Sequence, residues 1–519
     1  MKYSKLAYMF SIPLAVTFGT GCSKFEEINT NPNRTTQASS DMLATDMILN
    51  ITEGNISDTK GFMQPFLLGK YLTWGEGQEN FQYNRLGRTN FDRLTLLRNI
   101  KPMVDAASSE ELHRSYSGLG HFIRAWQFYQ TTMQVGDIPY SEAIKGESDN
   151  IIQPRYDAQK GVFLGIINEL DSADILFSTG ADFRGDPVYG GKADNWRRLA
   201  NSFQLHVLMQ LWKKTGDADL KVIARFKDIV ANRPLMRSYA DNFALTYNAT
   251  AGQNYPWSDV PAGSRNSFVK SNYTMLSATL IDPLKAMGDR RLFYYAKPSP
   301  VKIAGGKTPS DWDAYLGAEP SDAFPDLQSM RVSKDYSDLN NRYVNLVNAE
   351  PVSVFSYQEQ QFLLAEAALR GWITGTPAQD YYAAGITNAM KFTAFYTPDV
   401  PDYHHNMKID DAYIQGYVAA NALTGSTDNQ LKQIITQKYL AGFLHGCNYS
   451  AWYEQRRTGY PVFKLNSGTN LNTPTTQFPV RWLYPSNELS YNNKNLDEAI
   501  RRQYNNGDNV NEVMWILKD

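Results

Sequence analysis

Apolar residues in this chain recur at three- and four-residue spacing over long stretches, while strict alternation is scarce. That period favours helices packed on helices over sheets. Residues 112–134 are the longest example, with Leu119, Phe122, Ile123, Trp126 and Tyr129 on one stripe. Gly136-Asp137-Ile138-Pro139 then reads as a stop. Similar stripes occupy 38–52, 157–177, 195–214, 217–231, 356–373, 378–395 and 428–444. Several are paired across a short glycine-containing turn. LLAEAALRG precedes AQDYYAAGITNAM, and Thr215-Gly216-Asp217 joins 195–214 to 217–231. Ala365, Ala367 and Ala368 permit close approach of two helices, with Tyr381 or Tyr382 packing over the gap, as in tetratricopeptide-type hairpins. The expected fold is all-α. A tetratricopeptide-like scaffold of helical pairs carries long irregular loops and a few short strands, in a single domain over 38–519.

Between the stripes lie segments too long and irregular for an ordinary bundle. They cover 71–99, 239–275 and 298–352, and each is rich in Trp, Tyr, Gly, Asn and Asp. Loops of this length inside a domain are functional or disordered, and their aromatic density argues against disorder. The whole chain has 32 Tyr and 10 Trp. Such rings suit the apolar face of a sugar, whose hydroxyls pair with Asn, Asp, Gln and Arg. Trp74, Tyr83, Arg85, Trp257, Asp259, Asn266, Arg342 and Tyr343 have this chemistry and are the candidate ligand-binding residues. Each has a plainer reading as a packed scaffold side chain.

Composition narrows the functional classes. A net charge of -2 leaves no basic excess for nucleic acid. Six histidines and two cysteines leave little for a metal. His404-His405, in a Pro- and Asp-rich loop, reads as solvated rather than as half of a zinc site. Phosphate-cradle and dinucleotide fingerprints are absent, so neither a catalytic residue nor a cofactor is expected. At the N-terminus, Lys2 and Lys5 precede an apolar run from Leu6 to Phe18, too short to span a bilayer. With Gly19-Thr20-Gly21-Cys22 it reads as a signal peptide over 1–21 followed by a lipidated Cys22, though the leucine usual three positions earlier is missing. Residues 22–37 are then a lipid-anchored tether, and an acyl anchor there holds the domain on a membrane without a transmembrane helix.

The C-terminal part carries a more specific pattern. Residues 436–465, TQKYLAGFLHGCNYSAWYEQRRTGYPVFKL, and 478–492, FPVRWLYPSNELSYN, resemble the signature of the SusD-like (SusD/RagB) lipoproteins of the Bacteroidetes. WRRLANSFQLHVLMQL resembles the family's central helix, GDRRLFYYA its D-P-R-L element and YQEQQFLLAEAALRGW its late helical pair. Glu26 and Glu27 behind Cys22 resemble the surface-export signal of such lipoproteins, and NTNPN resembles the tether of one branch. The resemblance implies an outer-membrane lipoprotein facing the cell surface. It implies a non-enzymatic protein that captures a glycan, or a peptide in RagB-like members, and caps a SusC-like TonB-dependent transporter. Read from its residues alone, the signature's Trp452, Glu454, Arg456, Arg457 and Tyr460 form a structural ion-pair network, and Arg481, Trp482 and Tyr484 mark the fold. The competing class is a helical surface glycoside hydrolase. It requires two carboxylates about 5–9.5 Å apart, and loop acids such as Glu76, Glu79, Asp259 and Asp326 leave that open.

Overall fold

The computed structural model describes residues 38–53, 61–261, 263, 273–446 and 449–519. The signal-peptide, lipidation and tether expectations at 1–37, including Cys22, and the candidate Asn266 lie outside them. From Ser39 to Asp519 the chain clusters as one unit.

Its frame is helical. The principal helices are α1 (Ser40–Thr52), α2 (Glu110–Val135), α3 (Gln159–Thr179), α4 (Ala193–Gln210), α5 (Val222–Asn232) and α6 (Tyr357–Leu369). They are followed by α7 (Ala378–Tyr396), α8 (Asp411–Ala420), α9 (Thr427–Ala441), α10 (Ser450–Thr458) and α11 (Asn493–Gln503). Packing runs α2 on α3, α3 on α4, α4 on α6, and α6 on both α7 and α9. The helical stripes therefore appear where expected, with α5 starting later because Lys221 takes a left-handed conformation, φ 48°.

Local chemistry explains the boundaries. The Ser109 hydroxyl accepts from the Leu112 N–H at the start of α2, with Glu110 and Glu111 in the first turn. At the other end Gly136 has φ 93°. That backbone conformation favours glycine, and a Cβ there would also stand 2.2 Å from Gln503 Oε1, at the contact with α11. The pair α6–α7 closes as the small residues suggest: Ala365 and Ala367 are buried, and the Tyr382 ring meets Phe362 at 6.3 Å. Gly385 completes it, since a Cβ there would sit 2.6 Å from the Phe362 ring.

The few strands are short. β1 (Leu72–Trp74) pairs antiparallel with β3 (Thr274–Leu276), placing Thr73 opposite Met275. β2 (Phe243–Leu245) pairs antiparallel with β4 (Val352–Phe355), with an irregularity after Phe243. Both ladders tie long loops to one another.

Two large hydrophobic clusters result. One is built around the helices α2, α3 and α4, where Phe122, Trp126, Trp196, Phe203 and Phe243 meet edge to face or tilted. The second draws loop aromatics against α6, α7 and α9 and includes Tyr71, Trp74, Tyr255, Trp257, Tyr343 and Tyr439. The described parts of the irregular segments are thus no fringe: their rings supply a core. A buried ring removes about 150–250 Å² from water, or about 4–6 kcal/mol, which offsets the entropy of ordering two or three residues without a helical ladder.

Among the described residues, no helix is long and apolar enough to cross a membrane. His404 and His405 depart from the solvated reading: both are buried. His404 Nε2 lies 2.9 Å from Asp399 Oδ1, whereas His405 Nε2 lies 3.4 Å from the Asn340 amide, so the two rings serve different partners.

Candidate functional site

Two places concentrate polar chemistry, and their geometry separates them. The first is the charged cluster of the C-terminal signature. Lys438 comes from α9, Glu454 and Arg457 from α10, and Glu359 and Glu366 from α6. Arg457 grips Glu366 with two bonds of 2.6 and 2.7 Å and reaches Glu454 at 2.5 Å. Lys438 Nζ lies 3.2 Å from Glu359 and 3.3 Å from Glu454, and His206 Nδ1 lies 3.0 Å from Glu359. Burial works against ionisation of Glu359, yet Lys438 and His206 beside it hold its carboxyl below the usual carboxylate range. Glu366 is lowered likewise against burial, by Arg457 and Arg370. A general acid needs the opposite shift. The space beside this cluster is about 50 Å³, room for water but not for a sugar ring. The network is sealed and structural, pinning α10 to α6 and α9.

Arg481 and Arg456 serve the same end. Arg481 bonds Asp508 at 2.8 Å and stacks on Tyr504 at 4.0 Å. Arg456 stacks on Trp452 and Tyr453 while donating to the Met133 and Val480 carbonyls. Burial brings its pKa down to about 10.

The second place is a cavity of about 360 Å³, within the range of small-molecule sites. The end of α1 supplies Asn50, Ile51 and Glu53, and the short helical stretch over 61–68 supplies Gly61, Phe62, Pro65 and Phe66. Across from them α2 presents Trp126, Gln127 and Gln130. Pro256 and Trp257 come from a long loop, Val352 and Val354 from β4, and Arg93, Leu444 and Tyr449 close the wall. Trp257 is wedged edge-on against Phe62 at 5.0 Å and Phe66 at 6.0 Å. Phe62, Tyr449 and Arg93 remain partly open, and Asn50 and Glu53 are exposed at the rim. Gln127 and Gln130 are 3% and 4% exposed. Spaced three apart on one helix, they line the cavity side by side. Neither amide has a hydrogen-bond partner among the described residues. Glu53 is the single carboxylate among the described lining residues.

Chemically, such a cavity binds. Aromatic edges and faces take apolar C–H surface, and paired amides offer donors and acceptors to hydroxyls. Hydrolysis of a glycosidic bond requires a second carboxylate facing the first, and the lining holds none among the described residues.

Of the residues singled out from sequence that are described, Trp257 alone lines this cavity. Trp74 is buried in β1, its N–H donating to Gln82 Oε1. Tyr83 is buried and donates to the Asp322 carbonyl at 2.8 Å. Arg342 has no exposed surface; it pairs with Glu350 at 2.7 Å and donates to the Tyr294 carbonyl at 3.0 Å. Tyr343, also sealed, stacks on Tyr255 at 6.0 Å. Trp74, Tyr83 and Tyr343 sit inside the fold because such rings gain by leaving water even without a helical stripe, and Arg342 is buried with its Glu350 partner. Asp259 is half-buried, accepting from the Gly263 N–H at 3.1 Å, and Arg85 is exposed away from the lining. Sequence reasoning passed over Arg93, Gln127, Gln130, Phe62 and Tyr449. The signal for two of them was present: Gln127, Gln130 and Gln134 fall on one helical stripe inside a strongly apolar helix. Gln134 is bonded by the Thr89 hydroxyl, but the other two are not so used.

Known proteins place this architecture. Residues 32–485 match the SusD-like family model described as starch-binding and associating with the outer membrane. A SusD homologue from Bacteroides fragilis is 42% identical, covers 93% of this chain and all of its own, and superposes with a TM-score of 0.87. A second B. fragilis SusD homologue is 32% identical over the same shares, with a TM-score of 0.80. A chitin-binding SusD homologue from Flavobacterium johnsoniae shares the fold at 21% identity and a TM-score of 0.68, covering 92% of this chain and 99% of its own. No functionally curated protein matches the chain. A family match over most of the length, on a helical frame that superposes on solved homologues nearly end to end, makes this chain a member of the SusD-like family of nutrient-binding, outer-membrane-associated proteins.

Proposed function

We propose that this protein is a cell-surface capture lipoprotein that holds an oligosaccharide in the Phe62–Trp257 cavity and delivers it to a SusC-like TonB-dependent transporter. In this reading residues 1–21 direct export, Cys22 carries the lipid, 22–37 form the tether and the rest binds ligand. Transfer works by population shift: a ligand held in the cavity favours the assembly closed over the transporter.

The observation that carries the proposal is the lining itself. Among the described residues it combines aromatic surface with two amides that have no hydrogen-bond partner, and it has one carboxylate where hydrolysis needs two. Both amides line the cavity with donors and acceptors that no described side chain uses, which suits a guest carrying hydroxyls. The chitin-binding homologue of the same fold supports a saccharide as that guest.

The test is calorimetric titration of the mature protein with chito-, malto-, xylo- and pectic oligosaccharides and with a tryptic peptide pool, followed by overnight reducing-end analysis. Saturable binding of a saccharide without new reducing ends is expected. New reducing ends from any member overturn the capture reading, and binding of peptides alone moves the ligand class to that of RagB-like proteins.

A further inference from the structure

Buried arginines in this protein are paired almost without exception. Arg291 bonds Asp289, Arg342 bonds Glu350, Arg457 bonds Glu366 and Arg481 bonds Asp508, all within 2.8 Å. Arg456, which has no carboxylate, donates to two carbonyls. Arg93, partly open to the cavity, differs from these sealed arginines. It lines the cavity of the proposed capture site and makes no hydrogen bond or ion pair among the described residues. Burial lowers its pKa, and the Tyr453 and Tyr449 phenols act against that shift. A guanidinium offers five donors in a planar fork and accepts nothing. Left partly dehydrated with no acceptor, it carries a desolvation cost that a ligand acceptor removes.

We propose that the cavity is selective for acidic saccharides, with Arg93 receiving a sugar carboxylate while Gln127 and Gln130 take neighbouring hydroxyls. The proposal rests on the capture reading and deepens it by naming the ligand class. The fork of Arg93 matches a carboxylate with two parallel bonds, which a neutral sugar cannot offer. The two amides lie three residues apart on α2, a spacing suited to adjacent hydroxyls of one ring. Phe62, Trp257 and Tyr449 wall the remaining sides and take the ring's C–H surface. Glu53 is the opposing charge. It sits exposed at the rim, where water and salt screen its repulsion of an acidic guest, so it weakens rather than cancels the attraction of Arg93.

The experiment uses matched pairs in the mature protein. Oligogalacturonides, mannuronate oligomers and glucuronate-bearing xylo-oligosaccharides are each titrated beside the same oligomer with its carboxyl reduced to the alcohol. Wild type is expected to bind at least one acid tenfold or more tightly than its reduced twin. Arg93→Met should erase that difference, and Arg93→Lys should keep part of it. Circular dichroism and the urea midpoint establish that each variant is folded, with Arg93→Lys as the safeguard should Arg93→Met fail. Equal binding of acid and reduced twin, or a preference that survives in Arg93→Met, overturns the proposal while leaving saccharide capture standing. Binding of no saccharide, acid or neutral, in wild type overturns the capture reading and this proposal with it.

Discussion

Removing the Arg457 side chain should cost this fold more than almost any other polar change. Its guanidinium is 1% exposed and makes three short bonds to two carboxylates that are equally sealed. In Arg457→Met, Glu366 keeps only Arg370 at 2.8 Å, and Glu454 keeps Lys438 at 3.3 Å and the Gln210 amide at 2.8 Å. Breaking one side of a buried pair costs about 3–5 kcal/mol, because the abandoned charge cannot recover its water. The two carboxylates facing each other without the central cation put the expected loss at the upper end of that range. Urea unfolding followed by tryptophan fluorescence reads it: the midpoint should fall sharply with the slope preserved. In the fraction that stays folded, saccharide affinity should equal wild type, since no atom of the cluster lines the cavity of Trp257. A loss below about 1 kcal/mol, the range of solvent-exposed pairs, would refute the argument that the C-terminal signature is a structural clamp.

Other positions give independent checks. Gly385→Ala forces a methyl against Phe362 and should destabilise by about 1–2 kcal/mol, whereas Gly416→Ala, exposed on α8 with open space around it, should gain roughly 0.5–1 kcal/mol; equal midpoints for the two variants would count against the close α6–α7 approach. Gln130→Leu removes a buried amide without a hydrogen-bond partner among the described residues, so it should raise the urea midpoint while weakening saccharide binding, and the reverse pattern would show the amide to be structural. Burial holds His445 below the usual imidazole value of 6.5 despite Glu350 nearby. Below that pH the unfolded chain takes up the proton first, so stability is retained above 6.5 and lost as pH falls through it toward the lower folded pKa. Midpoints measured from pH 7.5 to 5.5 should fall less steeply in His445→Gln; identical slopes would remove His445 from the account. Cys22→Ala should release the protein from membranes without changing ligand affinity, and continued membrane attachment would contradict lipidation there.

Much of the frame was legible from the spacing of apolar residues. The stripe over 112–134 corresponds to Glu110–Val135, and the small residues before Gly371 do close a helical pair with Tyr382 over it. The helices Ala278–Ala286 and Asn493–Gln503 went unread, the first because Pro283 lies inside it and the second because its face is narrow and strongly charged. The loops were the harder part. A helix reveals its inner face through period, but a segment such as 239–261 has none, so the chemistry of Trp257 was readable and its orientation was not. Arg342 and Tyr343 show the consequence: residue types suited to a sugar are equally suited to a sealed ion pair and a stacked ring. The cavity draws its wall from residues far apart in sequence, between Asn50 and Tyr449, and only the fold brings them together.

A crystal structure of the mature protein with a calorimetrically positive oligosaccharide tests the central claim most directly. An intact sugar is expected in the space between Trp257 and α2, within hydrogen-bond distance of Gln127 or Gln130. A saccharide bound on another face with this cavity unoccupied, or one found cleaved, would contradict it.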